Sequence, residues 1–370
     1  MSRWSVLKFP VLCLIFTTIL NASGCSIARY QTGDISKNPE AVKMEFKSIK
    51  DYERVFTDVK TERIPGKNAV KIALGGLKHE IGSIELGANK TFSVKYHYSL
   101  IHQAPNVYID VEFPNGRKYT AYLDTGCPGY SILTSDIVLD NKLPVLPNGP
   151  LIKTSTSGIC HIPELTIGPA LIKDGLAFYE EQQWQFRIMN IPIYKHPNVI
   201  IGLQLIRSFD YVLFDNLNKE AEFSKGKTFT LDAPDLWLSY PFEIKPGPYS
   251  NERIMVQLPI NGKNCEIFFD TCGDKPGLSL NQTDWEDISK NFTVKNLRKS
   301  HYYNFMGGRL PCQKAIVSKL SIGGKTYKNA EVLIKDEKDM TGKLSMFSLG
   351  YFQNTTVVLD FVNNLMWIKK

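Results

Sequence analysis

The sequence has no Cys-X-X-Cys, no two histidines at helical spacing and no Gly-rich phosphate loop. Its six histidines are scattered, so a metal centre built on paired ligands is disfavoured, and neither metal nor cofactor is expected. No dense block of one charge occurs either. The 44 basic and 37 acidic residues are interspersed, and the resulting charge of +7 gives no footprint for a nucleic-acid partner. Beyond residue 24 no apolar stretch is long enough to cross a bilayer as a helix. Long helical patterns are scarce. What remains is a globular composition, 43% hydrophobic and 22% charged, with 26 Gly, 20 Pro and many short apolar runs. Frequent turns between short apolar runs predict an all-β architecture with few short helices.

The N-terminus reads as a targeting segment. Arg3 and Lys8 precede the apolar run 9–20, about a dozen residues, which is the size of a signal-peptide core and too short for a membrane span. The residues after it, Ala22-Ser23-Gly24-Cys25, resemble the lipobox of bacterial lipoproteins, although Leu is commoner where Ala22 stands. That resemblance implies a signal peptide over 1–24, lipidation of Cys25 as the first mature residue, and an extracytoplasmic protein anchored to a membrane on the periplasmic or outer-membrane side. An ordinary secretory signal is the alternative, and it too takes the chain out of the cytoplasm.

The chain is written twice. The stretch VYIDVEFPNGRKYTAYLDTG at 107–126 reappears as IMVQLPINGKNCEIFFDTCG at 254–273. Asn115-Gly116 and Asn261-Gly262 stand 261 − 115 = 146 apart, and Asp124 and Asp270 stand 270 − 124 = 146 apart. Each copy predicts a β-hairpin, with a turn tolerant of positive φ and a second strand ending in Asp-Thr. Further on, the Leu-Thr-Ile-Gly at 165–168 is echoed at 320–323, and the strand 210–223 at 355–368, with Asp215 and Asp360 in matching places. Two homologous lobes follow, 92–226 and 236–370, joined by a linker near 225–234. Residues 26–91 lie outside the repeat as an N-terminal extension, in which 69–74, and 91–96 at its edge, have strand character. The best helix is 280–292, with Asn281 or Thr283 as cap.

The run Tyr122-Leu123-Asp124-Thr125-Gly126, followed by Ile201-Gly202-Leu203 and a terminal strand, resembles the lobe of retropepsin-like and pepsin-like aspartic peptidases. The resemblance covers most of 92–370. It implies two β-barrel lobes related by a pseudo-twofold axis, with the active site between them. Two carboxylates a few ångströms apart cannot both ionise, so they share one proton, and a water between them can be deprotonated by one while the other protonates the peptide. By resemblance Asp124 and Asp270 form this dyad. Thr125 and Thr271 would tie the two loops together, and Gly126 and Gly273 would permit the tight turns. The second copy departs from the pattern, with Cys272 where the family has Gly. For that reason a catalytically inactive binding lipoprotein stands as the alternative to an endopeptidase.

The same resemblance implies flap hairpins over 153–161 and 302–312. Gly158, Gly307 and Gly308 would suit their tips, and Tyr302, Tyr303 and Phe305 would line the substrate cleft or pack on their own lobe. Cysteine placement also repeats. It suggests disulfides Cys127–Cys160 and Cys272–Cys312, with Cys265 left single, against the alternative of buried thiols. Cys160 and His161 are adjacent on a strand and face opposite ways, which disfavours a cysteine nucleophile. The expected partners are a peptide or protein substrate and, through the lipid, a membrane; a monomer is expected.

Overall fold

The computed structural model describes residues 25–370 apart from 36, 46–48, 57–58, 64–69, 74–82, 88–89, 98–106, 128, 148–156, 189–190, 196, 247–251, 274–276, 304–308 and 337–343. Residues 1–24, where the signal peptide is expected, and Phe305, Gly307 and Gly308 therefore lie outside the described residues. Among the described residues the α-helices number four, none longer than seven residues. The chain is all-β.

The N-terminal part contributes β1 (Cys25–Gln31), α1 (Ile49–Val55), β2 (Lys60–Arg63), β3 (Val70–Ala73), β4 (Ser83–Glu85) and β5 (Thr91–Lys95). β2 and β3 pair with each other. The first lobe follows: β6 (Tyr108–Glu112), β7 (Lys118–Asp124), β8 (Ser131–Thr134), α2 (Ser135–Asp140), β9 (Val145–Pro147), β10 (Ser157–Ile167), β11 (Ala170–Glu180), β12 (Gln182–Ile188), β13 (Ile191–Lys195), β14 (Val199–Gly202), α3 (Leu203–Ile206), β15 (Tyr211–Asp215) and β16 (Glu220–Ser224). Its sheet runs β4-β11-β8-β14-β7-β6-β10-β9, and a further β10–β11 pairing curls it toward a barrel. β1 joins β12 and β13 in a separate three-stranded sheet.

The second lobe repeats the plan with β17 (Trp237–Pro246), β18 (Glu252–Ile260), β19 (Lys263–Phe269), β20 (Leu278–Asn281), α4 (Gln282–Ile288), β21 (Val294–Tyr303), β22 (Arg309–Ile322), β23 (Lys325–Lys335), β24 (Met346–Phe347), β25 (Thr356–Asp360) and β26 (Leu365–Lys369). Asn281 caps α4 by accepting from Asp284 N–H at 2.6 Å. The order β21-β22-β23-β20-β24-β19-β18-β17 closes through β22–β18. The two lobes match in register as well as in order. β14 runs parallel to β7 with Ile201 opposite Leu123, and β24 runs parallel to β19 with Phe347 opposite Phe269. Each pair is the other shifted by 146 (347 − 201 and 269 − 123). This is the bilobal, pepsin-like architecture that the duplicated sequence implies.

Between the lobes lies a six-stranded antiparallel sheet, β5-β16-β15-β25-β26-β17. β15 of one lobe pairs with β25 of the other, Tyr211 opposite Asp360 and Asp215 opposite Thr356. The matched aspartates here are turn residues. Asp215 accepts from Asn218 N–H at 3.0 Å, and Asp360 from Val362 and Asn363 N–H at 3.2 and 3.1 Å, so each closes its own hairpin. The Asn-Gly turns differ. Asn261 and Gly262, at φ 46° and 82°, make a two-residue turn between paired Ile260 and Lys263. In the first lobe Glu112 pairs with Lys118, which leaves a five-residue loop in which Gly116 has φ 76°. Fully buried aromatics such as Phe214, Phe223, Phe269 and Phe347 fill the core. Each contributes about 1.5–3 kcal/mol of hydrophobic stabilisation.

Candidate active site

β7 and β19 end on the same side of the lobe boundary, and each delivers an aspartate there. The elements that aim them are the neighbouring parallel strands. Gly202 of β14 stands opposite Asp124, and the Asp270 N–H donates to Phe347 O of β24 at 3.0 Å. Thr125 and Thr271, both buried, then lock the two loops in a reciprocal exchange. The Thr125 N–H donates to Thr271 Oγ1 at 3.0 Å, and the Thr271 N–H to Thr125 Oγ1 at 2.9 Å. Each hydroxyl also reaches across to the carbonyl before the opposite aspartate, Thr125 to Phe269 O at 3.3 Å and Thr271 to Leu123 O at 2.7 Å. A Thr supplies what the geometry needs, one donor and one acceptor on a short stem.

The two carboxyl groups meet. One oxygen of each, with Cys272 Sγ, lies within 4.8 Å of the others. Asp124 Oδ1 accepts from the Gly126 and Cys127 N–H groups at 2.8 and 2.9 Å, and Asp270 Oδ1 from the Cys272 N–H at 2.8 Å. Burial pushes the Asp124 carboxyl above the ordinary value of 3.8, against the opposing pull of its hydrogen bonds to Gly126, Cys127, Asp270 and Cys272. Both aspartates keep part of their surface exposed. Gly126 is indispensable as a glycine, because a Cβ there would stand 2.4 Å from Asp270 Oδ2. Among the described residues Asp124, Asp270 and Cys272 form the one group of three side chains placed to embrace a metal ion.

The second loop solves its turn differently. Position 348 is where the 146-residue shift carries Gly202 (348 − 202), and it holds Ser348, whose hydroxyl caps the short 3-10 turn Leu349–Tyr351. Gly202 is small because a Cβ would meet Gly129 O at 2.3 Å. In the second lobe the crowding is between Gly273 and Ser348, where a Cβ on Gly273 would stand 2.8 Å from Ser348 Cβ. Sequence reading missed the Phe347-Ser348-Leu349 element, although the constant spacing of 146 points to it.

Other expectations are corrected. No disulfide forms among the described residues. Cys127 packs with Tyr108, Tyr122 and Ile200, with Cys272 against them; Cys160 lies in the main core; and Cys312 lies with Tyr302 and Leu333. The proposed partners thus belong to different clusters, and neither Cys127–Cys160 nor Cys272–Cys312 is bridged. Gly158 is not a hairpin tip. It pairs with Pro147 and Tyr179 inside the β9-β10-β11 strands, where a Cβ would meet Tyr179 Oη at 2.5 Å and Leu146 O at 2.6 Å. Tyr302 is buried under its own sheet with the Lys335 ammonium 4.8 Å from its ring centre, so it packs the lobe instead of lining a cleft. Tyr303 pairs with Arg309 at the last rung of the β21–β22 hairpin. Cys160 is buried and His161 turns out to Asp174 at 3.3 Å, which leaves no nucleophile pair. Cys25 opens β1, its backbone opposite Ile188.

No protein-family profile matches the chain, and no curated protein sequence matches it. Among solved structures it is similar to an aspartic proteinase from Irpex lacteus, at 10% identity and TM-score 0.42, over 76% of this chain and 97% of that one. It is also similar to a basic 7S globulin from soybean, at 10% identity and TM-score 0.43, over 76% and 94%, and to a protein titled edgp, at 9% identity and TM-score 0.45, over 75% and 94%.

Proposed function

We propose that the protein is an aspartic endopeptidase in which Asp124 and Asp270 share one proton and activate a water against a peptide carbonyl. The observation that carries this reading is the meeting of two half-buried carboxyl groups, each from the equivalent strand end of its lobe and cross-braced by Thr125 and Thr271. Raised by burial, Asp124 keeps a proton available to the pair above the ordinary carboxylate range. The carboxylate that has lost its proton takes one from water, and the protonated partner polarises the substrate carbonyl and later protonates the leaving amine. The two roles belong to the pair as a unit.

Under the same reading the protein works outside the cytoplasm, held to a membrane by a lipid on Cys25. That part is supported by the basic start, the apolar run and the Ala22-Ser23-Gly24-Cys25 sequence. The test is a peptide-library digest at several pH values with Asp124→Asn and Asp270→Asn as controls. Each variant should lose cleavage at acidic pH and keep the wild-type fold. Cleavage by either variant at the wild-type rate ends the mechanism.

A further inference from the structure

The two lobes treat one sheet edge differently. In the first, β9 ends the sheet and residues 42–44 cover it in a parallel bridge: the Met44 N–H donates to Val145 O at 2.8 Å, and the Val145 N–H to Val42 O at 2.8 Å. In the second, β21 ends the sheet. β9 and β21 are equivalents, because the hairpins they flank match at one offset, Cys160 opposite Ala177 and Ala315 opposite Val332 (315 − 160 = 332 − 177 = 155). Val145 stands beside Cys160, and Leu297 beside Ala315. Among the described residues no strand covers the outer side of β21. A strand so placed presents the N–H and C=O of every second residue to a newcomer. The side chains along it say what would fit. β21 carries Lys295, Arg298 and Lys299, all exposed, and no acidic residue. Nearby ion pairs join Lys314 to Glu331 and Lys290 to Asp287, and among the described residues none includes Arg298 or Lys299. Leu297, next to them, is 51% exposed. A second copy of the chain would bring the same cations to the edge, and like charges directly opposite one another are destabilising. An acidic strand would meet them with opposite charge.

We propose that β21 is a docking edge for an extended acidic segment of a partner protein. The segment adds a parallel strand along 295–299, as residues 42–44 do at Val145, with an apolar side chain over Leu297 and carboxylates beside Arg298 and Lys299. This surface is separate from the dyad's cleft and does not rest on the peptidase reading. Leu297 stands 303 − 297 = 6 residues before the last rung of its hairpin, Tyr303 opposite Arg309, which is about 20 Å along the strand. Main-chain hydrogen bonds would supply affinity, and the basic residues would select the sign of the charge. Basic side chains on an edge strand also keep copies of a protein apart, and that role alone predicts no binding.

The test uses the full chain and a fluorescein-labelled peptide, Glu-Thr-Val-Glu-Glu-Thr, with binding read by anisotropy and located by amide hydrogen exchange. In parallel register this peptide sets its Val at Leu297 and its Glu residues at Lys295, Arg298 and Lys299. Binding should slow exchange in β21 and leave the ends of β7 and β19 unchanged. Arg298→Glu combined with Lys299→Glu should weaken binding about tenfold or more. The same double variant should prefer the peptide with Lys in place of Glu, a gain that a misfolded chain would not show. Methylating the peptide's backbone nitrogens keeps its charge, removes its donors and should abolish binding. Failure of the acidic peptide to bind overturns the proposal, as does equal binding of the methylated peptide, which would leave charge alone as the cause. Protection at the dyad loops in place of β21 would also overturn it, and so would a dimer in sedimentation that itself protects β21, since the occupant would then be a second copy.

Discussion

Gly126→Ala is the sharpest probe of the dyad's geometry. The backbone of Gly126 lies outside the left-handed region, so alanine can adopt it and the effect is one of contact alone. The new Cβ would stand 2.4 Å from Asp270 Oδ2, 2.6 Å from Cγ and 2.9 Å from Oδ1, whereas ordinary contact begins at 3.4 Å. The carboxyl must therefore retreat by 3.4 − 2.4 = 1.0 Å or the loop must move by as much. A displacement of about 1 Å between reacting groups costs on the order of 100-fold in rate, equivalent to about 2.7 kcal/mol. The assay is kcat/KM on a peptide taken from the library digest, with a thermal melt beside it to show that the fold survives. Gly116→Ala is the control, because nothing lies within 4 Å of its would-be Cβ but its φ is 76°. It should cost about 1 kcal/mol of stability and leave activity unchanged. A Gly126→Ala variant that keeps more than about a third of wild-type kcat/KM would refute the claim that the carboxyl groups must meet where they do.

Two further outcomes test the electrostatics and the brace. Thr271→Val keeps the shape and removes the acceptor of the buried Thr125 N–H and one of two donors to Leu123 O, for an expected loss of about 2–4 kcal/mol in urea unfolding. Thr271→Ser should stay within about 1 kcal/mol of wild type, and equal stabilities for all three would show that the brace contributes nothing. Because the folded pKa of Asp124 is raised above its unfolded value, the native state holds the extra proton, and its stabilising share is lost as pH rises through the folded pKa. Melting temperatures of Asp124→Asn and wild type should therefore diverge upward from about pH 4 in favour of the variant, and parallel curves would contradict the raised pKa.

Those parts of the molecule that depend on local chemistry were legible in the sequence. The hairpins, the Asn281 cap and the Asp-Thr strand ends are each written in a few adjacent residues, and a spacing of 146 paired the Asn-Gly turns and the Asp-Thr ends across the chain. Contacts between distant segments were less legible. Gly158 suggested a tip because glycine favours turns, yet it is small here because Tyr179 and Leu146 O crowd it from neighbouring strands. Cysteine parity suggested bridges because position in the repeat was matched and distance was not; burial in separate clusters decided the matter. Ser348 escaped notice because residues 347–349 read Phe-Ser-Leu and do not repeat the Ile-Gly-Leu of 201–203. Cys272 read as a lesion in a turn, whereas the sulfur's seat on Tyr122 and Leu123 belongs to the opposite lobe.

The central sheet makes each half of the molecule incomplete by itself. Severed between 225 and 236, either product would carry a hairpin, β15–β16 or β25–β26, whose outer strand row has lost the strand it bonds to. Such halves have every reason to find one another again. Joined in one chain, they meet as an intramolecular event whose effective concentration is set by the segment between 225 and 236.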